Sequence, residues 1–241
     1  MKKLALFIVL VFWLGHANAL PLATTFDFQE LTDTSTGQIS GTWADGSNFA
    51  LANSGERAFQ EFNWTKDGIK LTASATYMGL ATYTDSYSGA YSSGDALKAW
   101  AYLDKNNAGL GVCSKGLKTD GKGSNQCNPG SDDNVTVDEI LNILFDQVVT
   151  IDFSQSVFRD GSHNDYTPPD PYVEVSVNGG AFEFMNVSSV ITGSSFDFLT
   201  NSNDDQFYID ALTVTSVPEP SVLAMMGLGL AGIGFTRRRK I

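Results

Sequence analysis

Two uncharged apolar segments, one near each end of the chain, decide which residues are left to fold. Leu4–Leu14 follows Lys2 and Lys3, and Ala17-Asn18-Ala19 then puts small residues where a signal peptidase requires them. Residues 1–19 are therefore expected to be a signal peptide, removed before Leu20. Ser221–Phe235 is the second segment, followed by Arg237, Arg238, Arg239 and Lys240. As a helix of ~1.5 Å per residue it covers about 22 Å, against a hydrocarbon core of ~30 Å. It is a marginal single transmembrane helix, helped by arginines that reach the headgroups. The basic cluster keeps to the cytoplasmic side, so the intervening chain lies outside. That leaves residues 20–216 as the folding body and 217–241 as a tail.

Charge narrows the partners. Six of the 15 basic residues belong to the end segments, whereas all 27 acidic residues lie between those segments' charges. Nine basic against 27 acidic residues give the chain between them a formal charge of −18. Phosphate backbones repel such a chain, which excludes nucleic acid as a partner; cations, Ca²⁺ first, are attracted.

Inside the body, short alternating apolar segments are separated by turn residues, the pattern of an all-β sandwich or barrel. The expected strands are Thr24–Gln29, Phe59–Trp64, Ile69–Thr76, Leu97–Leu103, Ile143–Phe153, Tyr172–Val177, Ser195–Leu199 and Gln206–Thr215. Asn178-Gly179-Gly180 predicts a hairpin turn returning through Ala181–Phe184. A short helix is expected near Asp138–Asn142. The alternation of the last strand shifts phase at Asp210, which suggests a bulge and an acid in need of a partner.

Cys113 and Cys127 are the only cysteines. An even count in an oxidising compartment implies a disulfide between them. Candidate chemistry is sparse. His163 is the single body histidine, in the turn-like run Asp160–Asp165 without a nucleophile elbow, and reads as a solvated loop residue. Asp104–Gly109 begins like a calcium loop, but Lys115 stands where the closing Glu belongs. Two further acid clusters, Asp132/Asp133/Asn134/Asp138/Glu139 and Asp160/Ser162/Asn164/Asp165, read as solvated turns. Trp43, Trp64 and Trp100 are candidates for sugar stacking, with core packing the ordinary fate. No acid pair is singled out for a secreted hydrolase.

Pro218-Glu219-Pro220 stays extended because prolines cannot continue a helix, as a protease cleft requires. With the apolar run and the basic cluster behind it, this tail resembles the PEP-CTERM sorting signal. The resemblance implies an exosortase substrate: an exported protein held briefly in the inner membrane after signal peptidase has acted. The resemblance further implies release to the cell surface or an exopolysaccharide and biofilm matrix, without catalysis. Gly109-Leu110-Gly111-Val112, Leu141–Phe145 and the strand Phe207–Val214 resemble the bodies of such proteins, a jelly-roll sandwich of the carbohydrate-binding sort. By that resemblance Asp210, Asp27 and Glu30 are candidate ligands of a structural Ca²⁺, and extracellular polysaccharide a candidate partner of an adhesin.

Overall fold

The computed structural model describes residues 23–33, 39–43, 47–51, 56–78, 99–105, 108–114, 117–118, 126–127, 133–166, 173–186, 188–202 and 205–217. The signal peptide, the motif Pro218-Glu219-Pro220, the apolar tail helix and Arg237–Lys240 lie outside them. Among the described residues no helix is long and apolar enough to cross a membrane.

Strand β1 (Ala23–Asp27) runs into a short helix, α1 (Phe28–Asp33). The turn from one to the other is capped by Asp27, whose carboxylate accepts the backbone N–H groups of Gln29 at 3.0 Å and Glu30 at 3.3 Å. The helix thus replaces the end of the strand expected over Thr24–Gln29, and it buries Phe28 and Leu31. β2 (Ile39–Trp43) pairs with β3 (Asn48–Leu51) and with β4 (Arg57–Lys66). β4 turns into β5 (Ile69–Tyr77) through Asp67 and Gly68, at φ 50° and 80°. Two consecutive left-handed residues match the twist of the flanking strands. β6 (Trp100–Asp104) and β7 (Gly109–Cys113) are followed by a separate two-stranded pair, β8 (Leu117–Lys118) and β9 (Gln126–Cys127).

β10 (Glu139–Asp152) is 14 residues long. The helix expected near Asp138–Asn142 is absent: the segment is strand from Glu139 onward. Glu139, Leu141, Ile143 and Phe145 all point inward, a period of two that a helix cannot satisfy, and tertiary burial overrides local propensity. A 3-10 turn (Phe153–Gln155), capped by Asp152, leads to the hairpin of β11 (Val157–Asp160) and β12 (Asp165–Tyr166). β13 (Val173–Val177) and β14 (Glu183–Phe184) form the hairpin predicted at Asn178-Gly179-Gly180, with Asn178 and Gly179 at φ 53° and 71°. β15 (Val190–Thr200) and β16 (Phe207–Ser216) complete the order.

The all-β expectation agrees with these elements. The two sheets of a jelly roll do not appear as such; one sheet of 14 strands forms, and its ladder closes on itself through β16-β7-β6-β4-β5-β10 and back to β16. The long strands cause this closure. β10 pairs with β5 along Glu139–Phe145 and with β16 along Val149–Ile151. Between them its register against β15 slips from Leu144/Ser195 to Val149/Gly193, a bulge that bends the strand from one wall to the other.

The interior is aromatic. Phe26 meets Trp64 edge-on at 5.2 Å, and Phe145 lies 5.9 Å from both Phe26 and Phe196. A satellite cluster of Ala58, Trp100, Tyr102, Cys113 and Cys127 surrounds the predicted disulfide, which is present with its Cα atoms 5.7 Å apart. Gly109 and Gly111 sit where backbones meet: a Cβ on Gly109 would overlap the Ile209 carbonyl, and one on Gly111 the Asp133 carbonyl. Gly109 also holds φ 111°.

Gly111→Ala should destabilise the mature body by about 2 kcal/mol or more, read from the urea midpoint, because backbone rather than a flexible side chain obstructs the new methyl. Replacing both Cys113 and Cys127 with Ala should cost about 3 kcal/mol through the released loop, and the reduced wild type should lose a similar amount.

Candidate functional site

Among the described residues, polar side chains gather where β6, the segment before β10, β16 and the β11–β12 hairpin meet. The hairpin loop is built by Asp160. Its carboxylate accepts the backbone N–H groups of Ser162 at 2.8 Å and Asn164 at 2.9 Å, while its carbonyl accepts that of His163 at 2.9 Å. Burial works against its charge, yet the N–H donors of Asn164 and Ser162 hold its carboxyl below the ordinary range. The loop places His163 at φ 65°.

From there the imidazole turns toward the body. Nε2 lies 3.3 Å from Oδ2 of Asp104, and the ring stands edge-on to Tyr208 at 5.3 Å. Tyr208 donates its hydroxyl hydrogen to Oδ1 of Asp133. Tyr102 donates to Oε1 of Glu56 at 3.1 Å, and Nζ of Lys105 lies 3.0 Å from the other oxygen of that carboxylate. Asn134 donates through Nδ2 to Oε1 of Gln206 at 2.8 Å, beside Gly161 of the hairpin loop.

Asp104 is 5% exposed. Burial, then the charge of Asp133, raise its pKa to about 7; His163 opposes the rise and Glu56 adds to it. Burial and the facing carboxylates push both phenols, Tyr102 and Tyr208, well above their ordinary range. The arrangement sets the His163 imidazole against a buried carboxyl, and that contact docks the hairpin on the body.

His163 is therefore not the solvated loop residue expected from its surroundings in sequence. The run Asp160–Asp165 reads as a polar turn, but its fold aims the ring inward, and only the pairing of β11 with β16 brings Asp104 within reach. The acid cluster before β10 is likewise only partly solvated. Asp133 and Glu139 are buried, the latter accepting the Thr136 backbone N–H at 2.7 Å.

Asp210 does sit in a bulge. Val157 opposes Ala211 while Phe158 opposes Ile209, leaving Asp210 as the extra residue. Its partner is Arg159, whose Nε and Nη2 reach Oδ2 at 2.8 and 2.7 Å; Nη1 pairs with Asp165. Burial raises the Asp210 pKa and Arg159 works against that rise. Of the candidate calcium ligands, Asp27 lies near enough to Asp210 to push its pKa up, and it stands opposite Ala211 where β1 pairs with β16. Asp27 also caps α1, Glu30 receives Nζ of Lys66 at 3.3 Å, and Oδ2 of Asp210 is paired with the Arg159 guanidinium. Among the described residues no group of three or more His, Cys, Asp or Glu is placed to hold a metal ion.

Trp64 and Trp100 are buried, as core packing requires; Trp43 is half-buried and stacks on Phe59 at 5.0 Å. Residues 216–240 match the PEP-CTERM protein-sorting motif. The match takes in Pro218-Glu219-Pro220 and Arg237–Lys240 and begins on the last residue of β16. No curated protein and no solved structure matches the chain.

A carboxyl whose folded pKa lies above its unfolded value favours the folded state when protonated. Asp104 should thus stabilise the body least above about pH 7, with stability lost as pH rises from about 4 to 7. Asp104→Asn should flatten that dependence, so that the fall in urea stability between about pH 5 and 8 shrinks by on the order of 1–2 kcal/mol.

Proposed function

We propose that this chain is an exported protein, held in the inner membrane by its C-terminal tail until an exosortase cuts near Pro218-Glu219-Pro220. The β body is then delivered, as a non-catalytic component, to the cell surface or an exopolysaccharide and biofilm matrix. The observation that carries this reading is the sorting motif over residues 216–240. Its three parts divide the work physically. The prolines keep the scissile region extended, the apolar run holds it at the bilayer, and the arginines anchor the far end in the cytosol.

The body is suited to such a route. Its disulfide belongs to an oxidising compartment, and its acidic charge favours solubility outside the cell. Its single histidine is engaged by Asp104 and Tyr208 in holding a hairpin, a structural use for the residue a hydrolase would need most. In the calcium-held, sugar-stacking alternative Asp210 would trade Arg159 for the cation, and of the three candidate tryptophans half-buried Trp43 is the one placed to meet a sugar.

Intact-mass spectrometry of the protein recovered from culture should find an N-terminus at Leu20 and a C-terminus within Val217–Pro220. A surface or medium form still ending at Ile241 would contradict removal of the tail.

A further inference from the structure

The β11–β12 hairpin is held at two levels by different chemistry. At its base, Arg159 lies opposite Tyr208 and Asp160 opposite Phe207 in the ladder against β16, and the Arg159 guanidinium joins Asp210 to Asp165. A guanidinium keeps its charge at any pH a folded protein meets, so this tie does not weaken as pH rises. Beyond Asp160 the ladder ends. Residues 161–164 reach the body through Gly161, beside Asn134 and Gln206, and through His163.

This tip is a preformed unit. The Asp160 carboxylate accepts the N–H groups of Ser162 and Asn164 at 2.8 and 2.9 Å, and against the effect of burial these donors hold it below the ordinary range. It stays ionised near neutrality, so the turn keeps its shape whether or not the tip is docked. His163 sits in the turn at φ 65°, a conformation unfavourable for a residue with a side chain, and the docked ring offsets that cost.

The ring docks on a concentration of negative charge. Nε2 faces Oδ2 of Asp104, buried on β6, and Asp133 and Glu56 stand near enough to Asp104 to act on its charge. Tyr208 of β16 lies edge-on to the ring and donates to Asp133, while Tyr102 donates to Glu56. Burial first, then these carboxylates, hold both phenols well above their ordinary range, so neither titrates near neutrality. Lys105 is engaged by Glu56, and Arg159 by the hairpin base. Charge across the contact therefore turns on Asp104 and His163. As pH rises, either proton loss acts in the same direction. One leaving the carboxyl puts a buried charge beside Asp133; one leaving the imidazole removes the charge that opposes it.

We infer that residues 161–164 form a pH-sensitive latch, shut on Asp104 in acid and lifting from β6 as the medium turns alkaline, while the β11–β16 ladder stays paired. Burial, then Asp133, raise the Asp104 carboxyl to about 7, above the value of a free carboxyl. Its contribution to docking is therefore whole at acid pH and is lost as pH rises toward about 7 and beyond. Lifting bares Asp104 and Asp133, so the pH of the medium sets whether these carboxylates are presented to it.

Histidine NMR of the protein recovered from culture reads the latch directly, because His163 is the only histidine after residue 19. The nuclear Overhauser contact between the His163 and Tyr208 rings should weaken at least ~threefold between about pH 5.5 and 8.5. The contact between Phe158 and Phe207, at the hairpin base, should hold steady over the same range. In wild type the loss should follow the titration of the Asp104 carboxyl carbon to within about half a pH unit, and in Asp104→Asn the His163–Tyr208 contact should no longer respond to pH. A steady His163–Tyr208 contact in wild type would overturn the inference. Equal weakening of both ring contacts would do the same, since the whole hairpin is then lost. So would an Asp104→Asn response as large as that of wild type. Should that variant fail to fold, a wild-type loss that departs from the Asp104 titration by more than about one pH unit decides against the latch.

Discussion

The burial of β16 on both faces is the constraint on which the rest of the body depends. Eight consecutive residues, Phe207–Leu212 with Thr213 and Val214, are buried, and four other strands share its two edges. β1 and β7 lie along one side and β11 and β10 along the other. Each covers only part of the strand, so β16 is the element through which the ladder closes. A strand enclosed in this way has no solvent face on which to place polar residues. Its one acid, Asp210, is admitted by a bulge and answered by a guanidinium from the neighbouring strand. Leaving that carboxylate buried without Arg159 would be strongly unfavourable, which ties the β11–β12 hairpin to the core from below while His163 ties its tip.

Closure also explains the glycines and the disulfide. Where β7 passes β16 and the 133–134 segment, the backbones approach too closely for side chains, and Gly109 and Gly111 are the residues that allow it. On the other side of β6 and β7, Trp100, Tyr102 and the Cys113–Cys127 bridge form a second cluster under the small β8–β9 pair. A two-residue pair of strands has little stability of its own, and the covalent link supplies what its hydrogen bonds do not.

Much of this was legible in the residues. The hairpin at Asn178-Gly179 followed from turn chemistry, the bulge at Asp210 from a shift of phase, and the disulfide from cysteine count and compartment. What escaped was non-local. The helix expected near Asp138 failed because inward Glu139 and Leu141 are read correctly only once β5 and β15 lie beside them. The Asp104–His163 contact joins positions 59 residues apart and leaves no local mark, and two sheets were expected because bends in long strands are invisible to an alternation count. One local sign was available and not used: Asp67-Gly68, between two alternating runs, is a strong hairpin signature.

The place of β16 in the chain has a consequence for the order of events during export. A polypeptide threaded through a membrane channel from its N-terminus delivers this strand last, after every neighbour is already outside. Until Ser216 has crossed, β1, β7, β10 and β11 surround an open seam, and the barrel-like ladder cannot shut. In a chain delivered N-terminus first, the last strand of the body is thus the piece for which the whole fold waits.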